Sequence, residues 1–412
     1  MSARAEGVPH LAEAAGFTSD GPEVFDKVKS MSRAVLPGWS DLSDDQMEVS
    51  VLRGGISNAL FKVTPLLSPP SAPAPLTPMV FRVYGNGTDT FIDRTSEMRT
   101  MQWCHKHGFG PLLAATFEDG RIEGFLVGFR PLKPEEMAEE DTQARIARAL
   151  ARFHAIPLLA APEGSAPPAP PAPAAGSAPP APHAPSGLTK GTPFVRTREW
   201  LALAETLAFR DPAKKKAFDE GFDLAALRRA VDEVEAAAAS FDASPVFAHN
   251  DVLSGNVMVL ADGAQPPSDG APTMTFIDYE YADAAPRAYD IGNHFCEYAG
   301  FDSEYWRYPD ETSASRFCAA YLAEVASIEA EQGAGGEAAA APASPAAVRS
   351  LVAEANVYAL AAHAYWGAWC FIQAAYSALD FDYIEYGHVR WNEFFAKKDA
   401  FLKAAKEARQ EA

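Results

Sequence analysis

Cysteine is scarce in this chain: Cys104, Cys296, Cys318 and Cys370 are the four in 412 residues, far apart and without a CxxC pair. A disulfide scaffold and a cysteine-rich zinc module are therefore not expected, and a reducing compartment is. Positive charge is short as well. Lysine and arginine number 35 against 55 acidic residues, a formal net charge of −20. Such a surface repels phosphate backbones and anionic headgroups, so neither general nucleic-acid binding nor a polybasic membrane anchor is expected. The N-terminal run MSARAEGVPHLAEAAGF has no continuous apolar segment and carries acids early, which predicts no secretory signal. One stretch lacks charge altogether: Ala355 to Leu379, long enough to span a bilayer. Asn356, His363 and Gln373 interrupt it, and Trp366 and Trp369 sit in its middle, not at its two ends. The expectation is a buried helix of a globular protein, with no stable membrane insertion and a cytoplasmic location.

Apolar residues are plentiful at 48%, enough for a sizeable core and against wholesale disorder. Proline is concentrated. Pro157 to Ser186 holds 11 of the 33, among Ala, Ser and Gly, with Glu163 its one formal charge. That composition cannot bury a core and predicts an extended insertion over 157–190; a proline-rich docking peptide is the other reading. Shorter tracts of the same kind at Leu66–Pro78, Ala261–Pro272 and Ala330–Ala347 lie between periodic stretches and read as expanded loops.

Short runs rich in Val, Phe and Leu at Met47–Leu52, Ala59–Thr64 and Met79–Tyr84 predict strands. A helix follows near Ile92–His107, then a hairpin of Leu112–Phe117 and Arg121–Phe125. Helices are expected at Asp141–His154, Thr197–Phe209, Asp223–Ser240, Ser313–Ala330 and Val348–Leu379, interrupted by a strand pair, Asn256–Leu260 and Thr273–Asp278. A β-rich first part and a helical second part imply an α+β chain of two lobes with a cleft between them. The division is an N-terminal extension (1–40), a β-rich lobe (41–130) and a helical lobe (131–412).

The chemistry concentrates after Val246. In His249-Asn250-Asp251, a carboxylate stands five residues before Asn256, on a loop feeding a buried strand. The second strand ends in Asp278, and a hairpin brings that carboxylate back beside Asn256. Oxygen ligands of this sort suit Mg²⁺, and Asp251 is then free to accept a proton from a hydroxyl nucleophile. Singly, Asp251 reads as a turn cap and Asn256 as a strand start. HxD(x4)N followed by IDxE behind an apolar strand is far more specific.

This order resembles that of phosphotransferases with a protein-kinase-like fold. More narrowly, Ile277-Asp278-Tyr279-Glu280-Tyr281 and Arg287-Ala-Tyr289-Asp290-Ile291-Gly292-Asn293-His294-Phe295-Cys296-Glu297 resemble the signature of the choline/ethanolamine kinase family. The likeness runs in order from about Val51 to Phe395. It implies a bilobal protein-kinase-like fold, with a small N-terminal antiparallel β-sheet lobe and a larger, mainly helical C-terminal lobe. It implies ATP bound by Arg53, Gly54, Gly55, Ser57 and Asn58 on a phosphate loop, by Arg82 held by Glu97, and by the connector residues Gly124, Phe125 and Val127, which meet adenine mainly through backbone. Asp251 takes the catalytic role, and Asn256 and Asp278 hold Mg²⁺. Tyr281, Glu297, Trp366, Trp369, Phe381 and Tyr386 form the acceptor pocket, where carboxylate and ring faces suit a small amino alcohol. His249 supports the loop and is not the base.

Tyr84-Gly85-Asn86, Tyr308-Pro309-Asp310 and Asp380-Phe381-Asp382 look more like ethanolamine kinases than choline kinases. The resemblance thus implies ATP-dependent phosphorylation of ethanolamine, the first step of the phosphatidylethanolamine branch of phospholipid synthesis. Choline or dual specificity is the nearest alternative; a kinase of another hydroxyl and an inactive kinase-like scaffold are the others. A homodimer is compatible with the family.

Overall fold

The computed structural model describes residues 5, 7–15, 22–52, 58–84, 94–159, 193–209, 211–241, 244–265, 272–333, 343–377 and 381–411. The expected phosphate loop, Arg53, Gly54, Gly55 and Ser57, and nearly all of the proline-rich insertion, lie outside them.

The first lobe contains β1 (His10–Leu11), α1 (Pro22–Val35), β2 (Met47–Leu52), β3 (Asn58–Pro65), β4 (Met79–Tyr84), α2 (Arg94–Lys106), β5 (Leu113–Phe117) and β6 (Gly120–Gly124). Its six-stranded sheet runs β1-β5-β6-β4-β3-β2, antiparallel except for the short β1, which lies parallel to β5. Alternation sets the inner face: Phe61 and Val63 on β3 and Phe81 and Val83 on β4 are buried, with Phe61 directly opposite Phe81. Residues assigned to the N-terminal extension supply part of this core. Val28, Met31 and Trp39 are buried with Phe61, Phe81 and Ile122, and each such side chain contributes about 1.5–3 kcal/mol of burial. The first 40 residues include structure that belongs to the lobe.

The second lobe contains β7 (Phe129–Pro131), α3 (Glu140–His154), α4 (Phe194–Ala204), α5 (Pro212–Gly221), α6 (Leu224–Ala238), β8 (Pro245–Ala248), β9 (Val257–Leu260), β10 (Met274–Phe276), β11 (Asp283–Pro286), α7 (Arg287–Cys296), α8 (Glu311–Gln332), α9 (Pro345–Tyr376) and α10 (Tyr383–Glu411). Because β7 pairs with β9, Phe129 and Arg130, placed by the sequence in the β-rich lobe, join the sheet of the second lobe. Side-chain caps start several helices: Asp223 accepts from Ala226 N–H, Asp310 from Ser313 N–H and Ser344 from Ala347 N–H.

Helix α9 is the axis of the lobe, covered by α4, α6, α7, α8 and α10. It contains most of the uncharged stretch, and no described helix is long and apolar enough to cross a membrane. Helix α7 lies tightly against it. A methyl group at Gly292 would collide with the α9 backbone at Ala355 and Ala359. The described parts of the tracts Leu66–Pro78 and Ala261–Pro272 fall in connections between elements, whereas Ala330–Gln332 and Pro345–Ala347, at the two ends of the third tract, are the last turn of α8 and the first of α9.

Candidate active site

The loop between β8 and β9 carries His249, Asn250 and Asp251, and one face of α7 grips it. Asp290 accepts the backbone N–H groups of His249 (2.6 Å) and Asn250 (2.9 Å) on its two oxygens. One turn on, Asn293 Nδ2 donates to Asn250 O (3.2 Å) and His294 Nδ1 to Val252 O (2.8 Å). Positions i, i+3 and i+4 of one helix thus hold three consecutive stretches of loop backbone. Burial would raise the Asp290 carboxyl, but His154, the His249 ring and the His249 N–H outweigh it and hold its pKa below the usual carboxylate range. His154 donates to Asp290 through Nε2 (3.1 Å) and accepts from the Tyr321 hydroxyl at Nδ1 (2.7 Å). The His249 ring spans to Ile277 O at 3.0 Å, and burial keeps its pKa low. That geometry ties the loop to the β10 end.

The hairpin brings the expected residues together. Val257 faces Phe276, and Ile277 N–H donates to Asn256 O (3.0 Å), so Asp278 follows immediately beside Asn256. Asn256 Nδ2 donates to Asp251 O (2.9 Å) and Oδ2 (3.0 Å). Asn250 and Asp278 both adopt left-handed backbone, φ 65° and 67°, a conformation Asn and Asp tolerate better than other side chains. Asp251 is 9% exposed. Burial first, then the Glu297, Asp278 and Glu280 carboxylates, push its pKa well above the ordinary range, against a smaller opposing effect of the Asn256 amide. Asp251 itself has an acidic surrounding.

A second acidic group overlaps it. Glu97, Asp278 and Glu280 each present a carboxylate oxygen within 4.8 Å of the others. Asp278 Oδ1 is buried with no hydrogen-bond partner among the described residues, and burial together with Asp278 and Glu97 raises the Glu280 carboxyl. The donor chemistry fits a hard divalent cation. Glu280 was visible only as the last letter of IDxE.

The nucleotide side departs from expectation in one pairing. Arg82 bonds Glu123 (3.3 Å), not Glu97. Glu97 instead takes Arg121 (2.6 Å) and Arg94 (2.8 Å), while Arg121 also reaches Glu123 (2.9 Å). Register explains the exchange. Arg82 on β4 stands opposite Arg121 on β6, and Glu123, two residues along, shares that face. Arg82, Glu97, Arg121 and Glu123 line a pocket of about 40 Å³ together with Asp278 and Tyr279. Asn58 opens β3 opposite Tyr84. In the connector, Gly124 N–H is spent on Leu112 O (2.9 Å) and Phe125 N–H on Pro78 O (3.0 Å), so these two donors are not offered to a base. Lys62 lies over the Phe125 ring at 4.0 Å, and Val127 is 61% exposed.

The aromatic residues form one chain of edge-on contacts. Tyr281 meets Trp366 at 5.1 Å between centroids, Trp366 meets Trp369 at 5.7 Å, and Trp369 meets Tyr383 at 5.6 Å. Tyr383 contacts Phe381 at 4.9 Å and Phe381 contacts Tyr386 at 5.6 Å. Tyr383 was not expected; its place in the FDYIEY run was the available signal. Nor was Arg390, 1% exposed, which donates to Glu297 (3.0 Å) and to the Tyr386 hydroxyl (3.4 Å).

A family model described as choline/ethanolamine kinase matches residues 49–395. The chain belongs to the choline/ethanolamine kinase family. A probable ethanolamine kinase of Nematostella vectensis is 31% identical over 399 residues, covering 96% of this chain and 98% of the relative. A probable choline kinase of Arabidopsis thaliana is 29% identical over 387 residues, covering 92% and 94%. The solved structure of a Plasmodium vivax ethanolamine kinase superposes with a TM-score of 0.69 at 22% identity, over 95% of this chain and 93% of that one. The bilobal protein-kinase-like fold of the family is thus the fold of this chain, and the chain is a kinase of this family.

Proposed function

We propose that this kinase transfers the γ-phosphoryl group of ATP to the hydroxyl of ethanolamine, giving ADP and phosphoethanolamine in the cytoplasm, at the head of the phosphatidylethanolamine branch. The observation that carries the reading is the environment of Asp251. The charges of the Glu297, Asp278 and Glu280 carboxylates act on it together, and a contiguous wall of rings runs from Tyr281 to Tyr386. A hollow of that kind is completed by cations, one a substrate ammonium. Asp251, its pKa lowered again by those charges, accepts the hydroxyl proton as the alcohol oxygen attacks the γ-phosphorus and the bond to the β–γ bridging oxygen breaks. Glu297, held by Arg390, faces the ammonium, with Tyr281, Trp366, Trp369, Phe381 and Tyr386 around it. Arg82 pairs with the phosphates, alongside Asn58 and the loop of Arg53, Gly54, Gly55 and Ser57.

Asp278 and the Asn256 amide oxygen would hold Mg²⁺, with Glu280 and Glu97 near enough to join them. Bound there, the ion would neutralise charge on the triphosphate. Ethanolamine is preferred on the sequence motifs. Choline is the second reading, supported by the extent of ring surface, because a quaternary ammonium needs faces and no acceptors. Steady-state kcat/KM for the two alcohols, with and without EDTA, tests the proposal. Ethanolamine turnover that EDTA abolishes is expected. A clear choline preference overturns the substrate, and ATP binding by calorimetry without turnover of either alcohol makes the chain an inactive scaffold.

A further inference from the structure

Asn293 was assigned to neither group of residues above, yet it bonds to both and joins them. It is fully buried, and both ends of its amide are used. Nδ2 donates to the carbonyl of Asn250, the residue before Asp251, at 3.2 Å. Oδ1 accepts the indole N–H of Trp366 at 2.8 Å. Asn250 in turn donates through Nδ2 to Tyr281 O (2.9 Å), and the Tyr281 ring stands edge-on to Trp366. Two ring walls, one amide and the loop backbone therefore form a closed circuit. Asp290 and His294, its neighbours on the same helix face, hold the loop without reaching Trp366.

We infer that Asn293 is a positioning residue that sets the Trp366 ring and the Asp251 backbone together, so that the acceptor wall and the base share one register. This rests on the alcohol-kinase reading above. Its physical basis is the orientation of the indole. With the N–H turned inward to Asn293, Trp366 is held from rotating and has only its ring surface left for an ammonium. The amide that fixes the ring also holds the carbonyl of Asn250, a residue in left-handed backbone (φ 65°) directly before Asp251. A buried amide with both ends used admits no substitute without leaving a partner unpaired, and each unpaired buried group is costly. The tight approach at Gly292 keeps α7 near enough to α9 for the reach.

Asn293→Leu keeps much of the volume and removes both bonds; Trp366→Phe removes only the indole donor and keeps a ring. Asn293→Leu is expected to lower kcat/KM for the alcohol about 10–100-fold through both kcat and KM, with KM for ATP within about twofold of wild type. Trp366→Phe should show a smaller loss of the same pattern, and the double variant should be no worse than Asn293→Leu alone by more than about twofold. Strictly additive losses, or ATP and alcohol KM rising in parallel, overturn the inference. Should Asn293→Leu fail to fold, Asn293→Ser, which is smaller than either side chain and too short to reach both partners, takes its place with the same expected pattern. One indole proton among the seven tryptophans, identified by its loss in Trp366→Phe, should exchange slowly in wild type and fast in the Asn293 variant. Fast exchange in wild type refutes the tether. That measurement needs no turnover, so a wild-type protein inactive on both alcohols would sink the functional reading while leaving the tether to be judged on the indole proton.

Discussion

Replacing Asp251 with asparagine removes a charge and almost no volume. The substitution therefore separates chemistry from architecture. Asn256 Nδ2 donates to both the carbonyl and Oδ2 of Asp251, and an asparagine carbonyl oxygen can accept the second bond. Packing should be kept. What changes is the electrostatic balance of the hollow. Asp251 lies with Glu297, Asp278 and Glu280, and its pKa is raised well above the ordinary range, chiefly by burial. In the ligand-free protein its ionisation is thus a cost to folding, each unit of displacement being worth about 1.4 kcal/mol. Removing the group removes that cost, so the melting temperature at pH 8 should stay level or rise. Turnover should move the other way. A positioned general base contributes about 10²–10⁴-fold, and kcat should fall by that factor while ATP affinity stays within a few-fold of wild type. The assay pairs a coupled measurement of ADP release with thermal melting of the same preparation. Near-normal turnover would remove Asp251 from its role. Lost turnover with a collapsed melting temperature would show that the carboxylate holds the loop together, not that it does chemistry.

The ligand-free protein should also lose stability with rising pH. Burial pushes Asp283 and Glu354 up to about 7 and raises Glu280. In each case the folded value lies above the unfolded one, so between about pH 6.5 and 8 the folded state holds more protons and stability falls as pH rises. His249, His294 and His363, whose pKa values burial lowers, act below about pH 6.5 in the opposite sense, which leaves this window to the carboxylates. Urea unfolding should show a loss on the order of 2 kcal/mol across the window; a gain would contradict the carboxylate assignment. On the nucleotide side, Glu123→Gln should raise KM for ATP more than Glu97→Gln does, because Glu123 is the carboxylate bonded to Arg82. Equal effects, or the reverse order measured under saturating alcohol, would restore Glu97 as the partner of that arginine.

Much of the fold was legible from local pattern. Strands Met47–Leu52 and Met79–Tyr84 match the expected limits, because a half-buried strand alternates visibly and punctuating turns bound it. Helix α7 was not expected as a helix. Its segment is rich in Asp, Asn, His and Gly, poor helix formers that packing against α9 and bonding to the loop retain. Tertiary demand overrode local preference there, and that helix grips the loop that carries Asp251. Helix α10 escaped for a related reason: its aromatic start suggested a pocket and not the first turn of a helix.

The order of residues alone determined the spacing of Asp251, Asn256 and Asp278 around one hairpin. Separation along a strand pair is a matter of counting, and the β9–β10 register delivers it. The same is true of the acid excess, which no folding can alter. Which carboxylate meets which guanidinium was decided only in three dimensions. Glu97, Glu123, Arg82, Arg94 and Arg121 admit several pairings, and the β4–β6 register selected one of them. The tie from Trp366 through Asn293 to Asn250 likewise spans partners 73 and 43 residues apart. Hydrogen bonds of that reach leave no periodicity for a sequence to display, since they depend on how closely two helices approach.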